Sequence, residues 1–348
     1  MKGKVLVTGY QGFIGALLVP LLVKTGYTVV GLDTNFFGPD CEFFKPEFDG
    51  VRSVRKDIRL VEERDLEGID CICHLAALSN DPMGELDPQL TFAINHEASV
   101  SLAKLAKKAG VKRFIYSSSC SLYGLAGGDR ALTENDALEP LTAYARSKAL
   151  TEQEILPLTD KDFAVTSLRN ATAYGISAKL RLDLVVNNLV AWAVTTGEIR
   201  IMSDGTPWRP LIHAEDISRA FLAVIEAPME AVNGQAFNVG INSENYQIRD
   251  IAAIVAQAVG NCRVHITREN GRDERTYKVD FSKIYRQIPH FKPRWQLKEA
   301  VENIVESYRK TRMDEAKFRG RSFIRLKQLH FLIQQKRLDP NLFWKAAA

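Results

Sequence analysis

The chain has 348 residues, 46% of them apolar and 25% charged, with a net charge of +4. That is globular composition, long enough for two lobes or one large α/β domain. No run approaches the 18 apolar residues of a membrane span, and the first residues lead straight into a strand pattern, so neither a membrane segment nor a leader is expected.

In chain order, Val5-Leu6-Val7-Thr8 predicts a short strand and Ala16 to Lys24 a helix, joined by Gly9-Tyr10-Gln11-Gly12-Phe13-Ile14-Gly15. Glycines spaced Gly-x-x-Gly-x-x-Gly allow a tight turn and close backbone approach to a pyrophosphate, which the free N–H groups of the helix N-terminus attract. A second strand, Thr28 to Leu32, ends in Asp33, placed to accept hydrogen bonds from the ribose hydroxyls of NAD and to repel the 2′-phosphate of NADP. Val51 to Val54 leads to Asp57-Ile58, a polar end suited to an adenine edge. The strand Ile69 to His74 then runs into the small residues Leu75-Ala76-Ala77. His74 is expected to be a packed core histidine, and Cys71 and Cys73 core residues of one strand rather than metal ligands. The odd set of five cysteines, mostly inside apolar runs, fits reduced thiols and a cytoplasmic protein.

A helix is expected from Asn95 to Gly110, followed by a strand from Arg113 that ends in the hydroxyl cluster Ser117-Ser118-Ser119-Cys120-Ser121-Leu122-Tyr123-Gly124. About 25 residues later come Tyr144 and Lys148, which share one face of a helix at 3.6 residues per turn. An ammonium group beside a phenol favours the phenolate and can draw its pKa down from about 10, which suits proton transfer from an alcohol. The alternation of strands and helices implies an α/β doubly wound parallel sheet. Gly9, Asp33, Ala76 and Ser119 then all lie at strand carboxyl ends, around one crevice.

Beyond residue 167 the pattern is less regular. Arg181, Asp183 and Asn187 are candidate sugar contacts, although exposed loop polarity explains them equally well, and Asp204-Gly205-Thr206-Pro207-Trp208-Arg209-Pro210 suits a pocket wall. His213 to Ala227 and Ala236 to Val239 return to the first lobe, and Glu299 to Lys310 reads as a closing helix. Between Arg309 and Lys345 lie eleven Lys/Arg against three Asp/Glu, leaving the body mildly acidic. Phe323, Leu326, Leu329, Leu332 and Ile333 recur there at helical spacing, which favours a packing helix or a lid over nucleic-acid binding.

Taken together, Thr8-Gly9-x-x-Gly12-x-x-Gly15, Asp33, Asp57-Ile58, His74-Leu75-Ala76-Ala77, Leu122-Tyr123-Gly124, Tyr144-x-x-x-Lys148, Tyr174-Gly175, Asn188-Leu189 and Arg209-Pro210 to Ile217 resemble the extended short-chain dehydrogenase/reductase family, in its nucleotide-sugar epimerase/dehydratase branch. The resemblance covers about residues 3–310. It implies a Rossmann-type NAD-binding domain over 1–167, completed by 213–240, and a smaller mixed α/β nucleotide-sugar lobe over 168–212 and 241–310. Residues 311–348 are left as a basic helical extension. It implies Ser119, Tyr144 and Lys148 as catalytic residues. It assigns cofactor binding to Gly9, Gln11, Gly12, Phe13, Ile14, Gly15, Asp33, Asp57, Ile58, Leu75, Ala76, Ala77, Asn95, Ser117, Tyr144 and Lys148. Substrate binding falls to Ser79, Ser119, Cys120, Ser121, Thr172, Asn188, Leu189, Arg209, Arg272 and Arg275. A homodimer is implied through helices near 96–109 and 144–156, with Leu102, Leu105, Leu150 and Ile155 as contacts.

Departures from the family pattern narrow the chemistry. Where 4,6-dehydratases carry Asp-Glu, this chain has Cys120 and Ser121, so 4,6-dehydration is not expected. Cys120 lies one position before the cysteine of 3,5-epimerases and is taken as a packing residue. Thr172 stands where an Asn is usual, with Asn170 two residues earlier, and Pro210 replaces the commoner Asp. The leading expectation is a C4 epimerase working through a transient 4-keto sugar on a nucleotide-diphosphate sugar. The alternatives are an NAD(P)H-dependent reductase of a 4-keto-6-deoxy nucleotide sugar and a catalytically silent cofactor-sensing scaffold.

Overall fold

Seven strands form one sheet in the order Gln235–Val239, Ala164–Asn170, Arg113–Ser119, Cys71–His74, Lys4–Thr8, Thr28–Asp33, Arg52–Arg55 in the computed structural model, which describes residues 2–126, 130–269 and 276–345. Every neighbouring pair is parallel. Central strands of a parallel sheet are covered on both faces, and Cys71–His74 and Ala164–Asn170 are buried at every position, the polar Ser167 and Arg169 of the latter being paired with the buried Glu152. From Lys4–Thr8 the chain builds outward to Arg52–Arg55, then crosses to Cys71–His74 and builds the other way. The crevice at this reversal is where ligands of doubly wound sheets sit.

The first turn meets that crevice with glycine for steric reasons. Gly9 has φ +70°, and a Cβ there would lie 2.8 Å from the Ala76 backbone nitrogen. A Cβ on Gly15 would meet the Gly9 carbonyl oxygen at 2.5 Å. The helix Gly15–Lys24 therefore starts hard against the strand ends, and no side chain caps its N-terminus.

The second lobe holds a three-stranded sheet ordered Asn245–Gln247, Trp208–His213, Thr172–Tyr174, and a two-stranded one of Arg263–Ile266 with Glu198–Ile201. Helices Val185–Thr196, Ile248–Val259 and Leu297–Lys310 share a core with them, including Leu189, Leu211, Ile251, Val301 and Tyr308. The C-terminal extension contributes to two cores at once. Phe318 and Phe323 join the second lobe, whereas Leu329 and Leu332, on the helix Arg325–Gln334, pack with Leu32 and Phe36 of the nucleotide lobe. Among the described residues no helix is long and apolar enough to cross a membrane.

Two expectations need correction. The helix near Asn95 begins earlier, at Pro88–Phe92, where Asp87 caps the Leu90 N–H. It then passes through a π-helical turn, Ala93–Glu97, into Ala98–Lys108. The extra residue of the π turn rotates Asn95 inward, where its amide grips both backbone groups of Leu78 (2.8 and 3.1 Å). Leu102 and Ile155, expected on a dimer face, are buried in the core between these helices and the sheet. Only Leu150 is exposed, at 39%.

Candidate active site

Around the strand ends opens a crevice of about 480 Å³, within the usual range for small-molecule sites. Its nucleotide end is lined by Gly9, Gly12, Phe13, Ile14, Gly15, Asp33, Asp57, Ile58, Leu75, Ala76 and Ala77. The Asp33 carboxylate accepts hydrogen bonds from the backbone N–H groups of Gln11 (3.0 Å) and Asn35 (2.8 Å). Burial raises its pKa, and those two amides oppose the rise. Asp57 caps the turn Ile58–Leu60 and pairs with Arg59 at 2.7 Å. Gln11 acts through its backbone and Asn95 by holding Leu78; neither lines the crevice.

Ser119, Tyr144 and Lys148 meet at the middle of the crevice. Ser119 ends the strand Arg113–Ser119, and its hydroxyl accepts the Ser121 N–H at 3.1 Å. Tyr144 is the second residue of the helix Ala143–Ile155. Thr142 caps that helix while donating to Asp81 at 2.6 Å, and Glu85 accepts the Ala143 N–H. Gly84 packs so closely beneath that a Cβ there would sit 2.9 Å from the Tyr144 Cβ.

Lys148 is 3% exposed and donates from Nζ to the Ser117 carbonyl at 2.7 Å; Nζ lies 4.6 Å from the Tyr116 ring centroid and 6.0 Å from that of Tyr144. Burial pushes the Tyr144 hydroxyl up to about 12, and the Ser119 hydroxyl within hydrogen-bonding reach pulls the other way. Burial lowers Lys148 to about 7. Desolvation, not the lysine charge, thus dominates Tyr144 in this arrangement, against the simple expectation from the i,i+4 pair.

The remaining wall is polar. Arg181 donates to Asp183 (2.9 and 3.1 Å) and to the Ser79 hydroxyl (2.8 Å), and Asn80 donates to Asp183 at 2.9 Å. Arg181 and Asp183 thus line the crevice, whereas Asn187 is buried on Gly175 and the Arg181 carbonyl. Ser117, Ser121, Thr172, Asn170 and Arg209 also line it. Three of the expected substrate residues do not. Cys120 is buried, with Sγ donating to the Arg169 carbonyl at 3.1 Å, and burial raises its pKa strongly. Asn188 donates to the Leu182 carbonyl, and Leu189 belongs to the second-lobe core. Arg272 and Arg275 lie outside the described residues. His74 is buried between Thr8 and Ser99 hydroxyls (2.6 and 2.7 Å) and held neutral, its pKa lowered to about 3 by burial.

The family model described as "NAD dependent epimerase/dehydratase family" matches residues 5–240. The chain belongs to this family. It is 29% identical over 319 residues to a UDP-glucose 4-epimerase of Mycolicibacterium smegmatis, covering 88% of this chain and 98% of the relative. Among solved structures, MoeE5 in complex with UDP-glucuronic acid and NAD is 28% identical, with TM-score 0.75, covering 89% of this chain and all of that one (100%). A UDP-N-acetylglucosamine 4-epimerase from Methanobrevibacter ruminantium M1, at 23% identity and TM-score 0.78 over 88% and 98% of the two chains, shares the fold.

The protein is accordingly an NAD-dependent enzyme of the extended short-chain dehydrogenase/reductase type, and the crevice suits that cofactor. A glycine cradle that a Cβ would fill, a helix N-terminus without a side-chain cap and the Asp33 carboxylate border the same crevice. Buried polar atoms of the crevice wall also lack partners: Ser118 Oγ, Ser121 Oγ, Asn170 Oδ1 and Arg325 Nη1. Sequence reasoning missed Asn80, Asp81 and, farthest away along the chain, Arg325 among the lining residues. The signal for Arg325 was an arginine four residues before Leu329, on the buried stripe of an otherwise amphipathic helix.

Proposed function

We propose that the protein epimerises a nucleotide-diphosphate sugar at C4 through a transient 4-keto sugar. The observation that carries this over dehydration is the pair of side chains after Ser119. Cys120 is turned into the core and Ser121 is a neutral hydroxyl, so these two positions offer no carboxylate pair for removing water across C5 and C6. NAD held along the glycine turn and Asp33 would supply the acceptor for the C4 hydride, which has to return to the opposite face of the 4-keto sugar for C4 to invert. Tyr144 removes the 4-hydroxyl proton and gives it back, and Ser119 hydrogen-bonds the same oxygen. Lys148, when protonated, favours the phenolate. Arg209, over the Tyr277 ring at 5.8 Å, is placed for the substrate diphosphate, which a guanidinium fork can bind with two parallel hydrogen bonds. Arg181, Asp183 and Asn80 face the sugar.

The test incubates purified protein with UDP-, dTDP-, GDP- and CDP-hexoses and separates the products by chromatography. Interconversion of a C4-epimeric pair with no net change in NADH is expected. A protein that retains NAD and interconverts none of them sinks the reading. Net oxidation of NAD(P)H by a 4-keto-6-deoxy nucleotide sugar makes it a reductase instead. A homodimer through the helices Ala98–Lys108 and Ala143–Ile155 would close over Leu150 and the half-buried Leu105. Sedimentation of Leu150→Glu as a monomer, beside a dimeric parent, supports that interface, and an unchanged mass removes it.

A further inference from the structure

We propose that Arg325, carried by the C-terminal extension outside the family-matched residues 5–240, binds the pyrophosphate of the dinucleotide, so that the extension clasps the cofactor onto the nucleotide lobe. The side chain is 2% exposed yet lines the crevice together with Gly12, Phe13, Ile14 and Asp33. Its Nη2 donates to the Lys179 carbonyl at 2.8 Å, and its guanidinium carbon lies 4.1 Å from the Phe37 ring centroid. Its Nη1 is buried and has no hydrogen-bond partner.

The neighbouring cations are already matched. Lys179 pairs with Glu42 at 2.9 Å and Arg181 with Asp183 at 2.9 Å, whereas among the described residues no carboxylate pairs with Arg325. A buried guanidinium with an open donor is unfavourable unless an anion meets it. The same crevice holds the uncapped N-terminus of the ten-residue helix Gly15–Lys24, a second positive pole. A dianionic pyrophosphate between the two satisfies both. The Asp183 and Asp33 carboxylates attract the Arg325 charge from a distance, but no hydrogen bond joins either of them to Arg325 among the described residues, and the Asp33 oxygens already accept the Gln11 and Asn35 amides.

The extension is built to hold Arg325 in place. Gln328, one turn further on, donates to the Phe36 carbonyl at 3.2 Å, and Trp344 Nε1 donates to the Thr34 carbonyl at 2.6 Å. Arg321 pairs with Asp40 at 3.0 Å. All three anchors fall on residues 34–40, directly after Asp33, so the clasp is fixed to the loop that borders the nucleotide end. The inference rests on the family's NAD cofactor and is indifferent to which sugar is turned over.

The experiment uses the full chain stripped of nucleotide, with Arg325→Met and Arg325→Lys, and measures dissociation constants for NAD, ADP-ribose and adenosine by calorimetry. Arg325→Met should weaken NAD and ADP-ribose by about 10- to 100-fold, the worth of one charge-assisted hydrogen bond, and leave adenosine unchanged. The nucleotide-free variant should melt no lower than its parent, since an unpaired buried charge has been removed. Arg325→Lys, with a point charge in place of the fork, should lie between the two. Affinities for NAD and ADP-ribose within twofold of the parent overturn the proposal. So does an equal loss for adenosine, which would place the contact at the nucleoside. Should Arg325→Met fail to fold, the same comparison is made on Arg325→Lys, and unchanged ADP-ribose affinity there is equally fatal.

Discussion

Tyr144 and Lys148 are held apart in their protonation by the same cause, burial, acting on groups of opposite charge type. A phenol at about 12 and an amine at about 7 both resist their charged forms, so each depends on the other and on what enters the crevice to ionise. Removing the proton-carrying oxygen with Tyr144→Phe should lower kcat by about 10²- to 10⁴-fold while leaving NAD retention unchanged. A loss smaller than tenfold, measured on the active sugar, would show that another group moves the proton. The lysine gives a test independent of turnover. The folded amine loses its proton near pH 7, whereas the unfolded chain keeps it to about 10.5. Between those values the unfolded state binds more protons, so stability rises with pH and the penalty is complete only below pH 7. In Lys148→Met that contribution disappears. The difference in unfolding free energy, parent minus variant and without nucleotide, should therefore grow by about 1 kcal/mol per pH unit from pH 7.5 to 9. Urea titrations at three pH values would show it, and a flat difference would mean that Lys148 keeps its charge in the fold.

At the scale of elements, the parts that were legible are those whose signal is local. The strand Lys4–Thr8, its glycine turn and the helix Gly15–Lys24 announce themselves because glycine is dictated there by backbone contact within a few residues and one neighbouring strand. A Gly9→Ala substitution tests this directly. It must adopt φ +70° and meet the Ala76 backbone at 2.8 Å. A loss of about 1–3 kcal/mol in stability is expected, with co-purified NAD falling well below one per chain. Full NAD content in the variant would show that the turn relaxes freely. The π turn at Ala93–Glu97 was not legible, because one inserted residue breaks the 3.6-residue period by which helical faces are read. Asn95 consequently looked like a helix start, when it sits in mid-helix and braces Leu78. For Cys120 the reading as a packing residue agrees with its burial, and only its place among the substrate contacts does not. Sequence order puts it next to Ser119, but the 3-10 turn Cys120–Tyr123 sends adjacent side chains to opposite sides of the wall, Ser121 inward to the crevice and Cys120 to the core.

For the whole molecule, the informative segment is the one whose spacing told least. Phe323, Leu329 and Leu332 signalled a buried stripe, but periodicity cannot say against what a stripe packs, and here it packs against two lobes at once. Its basic residues are likewise engaged within the molecule: Arg321 with Asp40, Arg319 over Trp192 at 4.6 Å, and Arg337 over Trp344 at 5.3 Å. A strap with side chains in both cores should couple their unfolding. Trp344 reports the nucleotide lobe through its contact with Phe36, and Trp192 reports the second through Phe318. In urea, tryptophan fluorescence and far-ultraviolet dichroism of the parent should therefore trace one superimposable transition. Leu332→Ala, at a site 1% exposed, should lower stability by about 2–5 kcal/mol, whereas Lys327→Ala on the exposed side of the same helix should change it by less than about 0.5 kcal/mol. The weakened strap should also pull the two signals apart, with the nucleotide lobe melting first. Two separated transitions in the parent would mean that the lobes fold independently and that the extension merely lies across them.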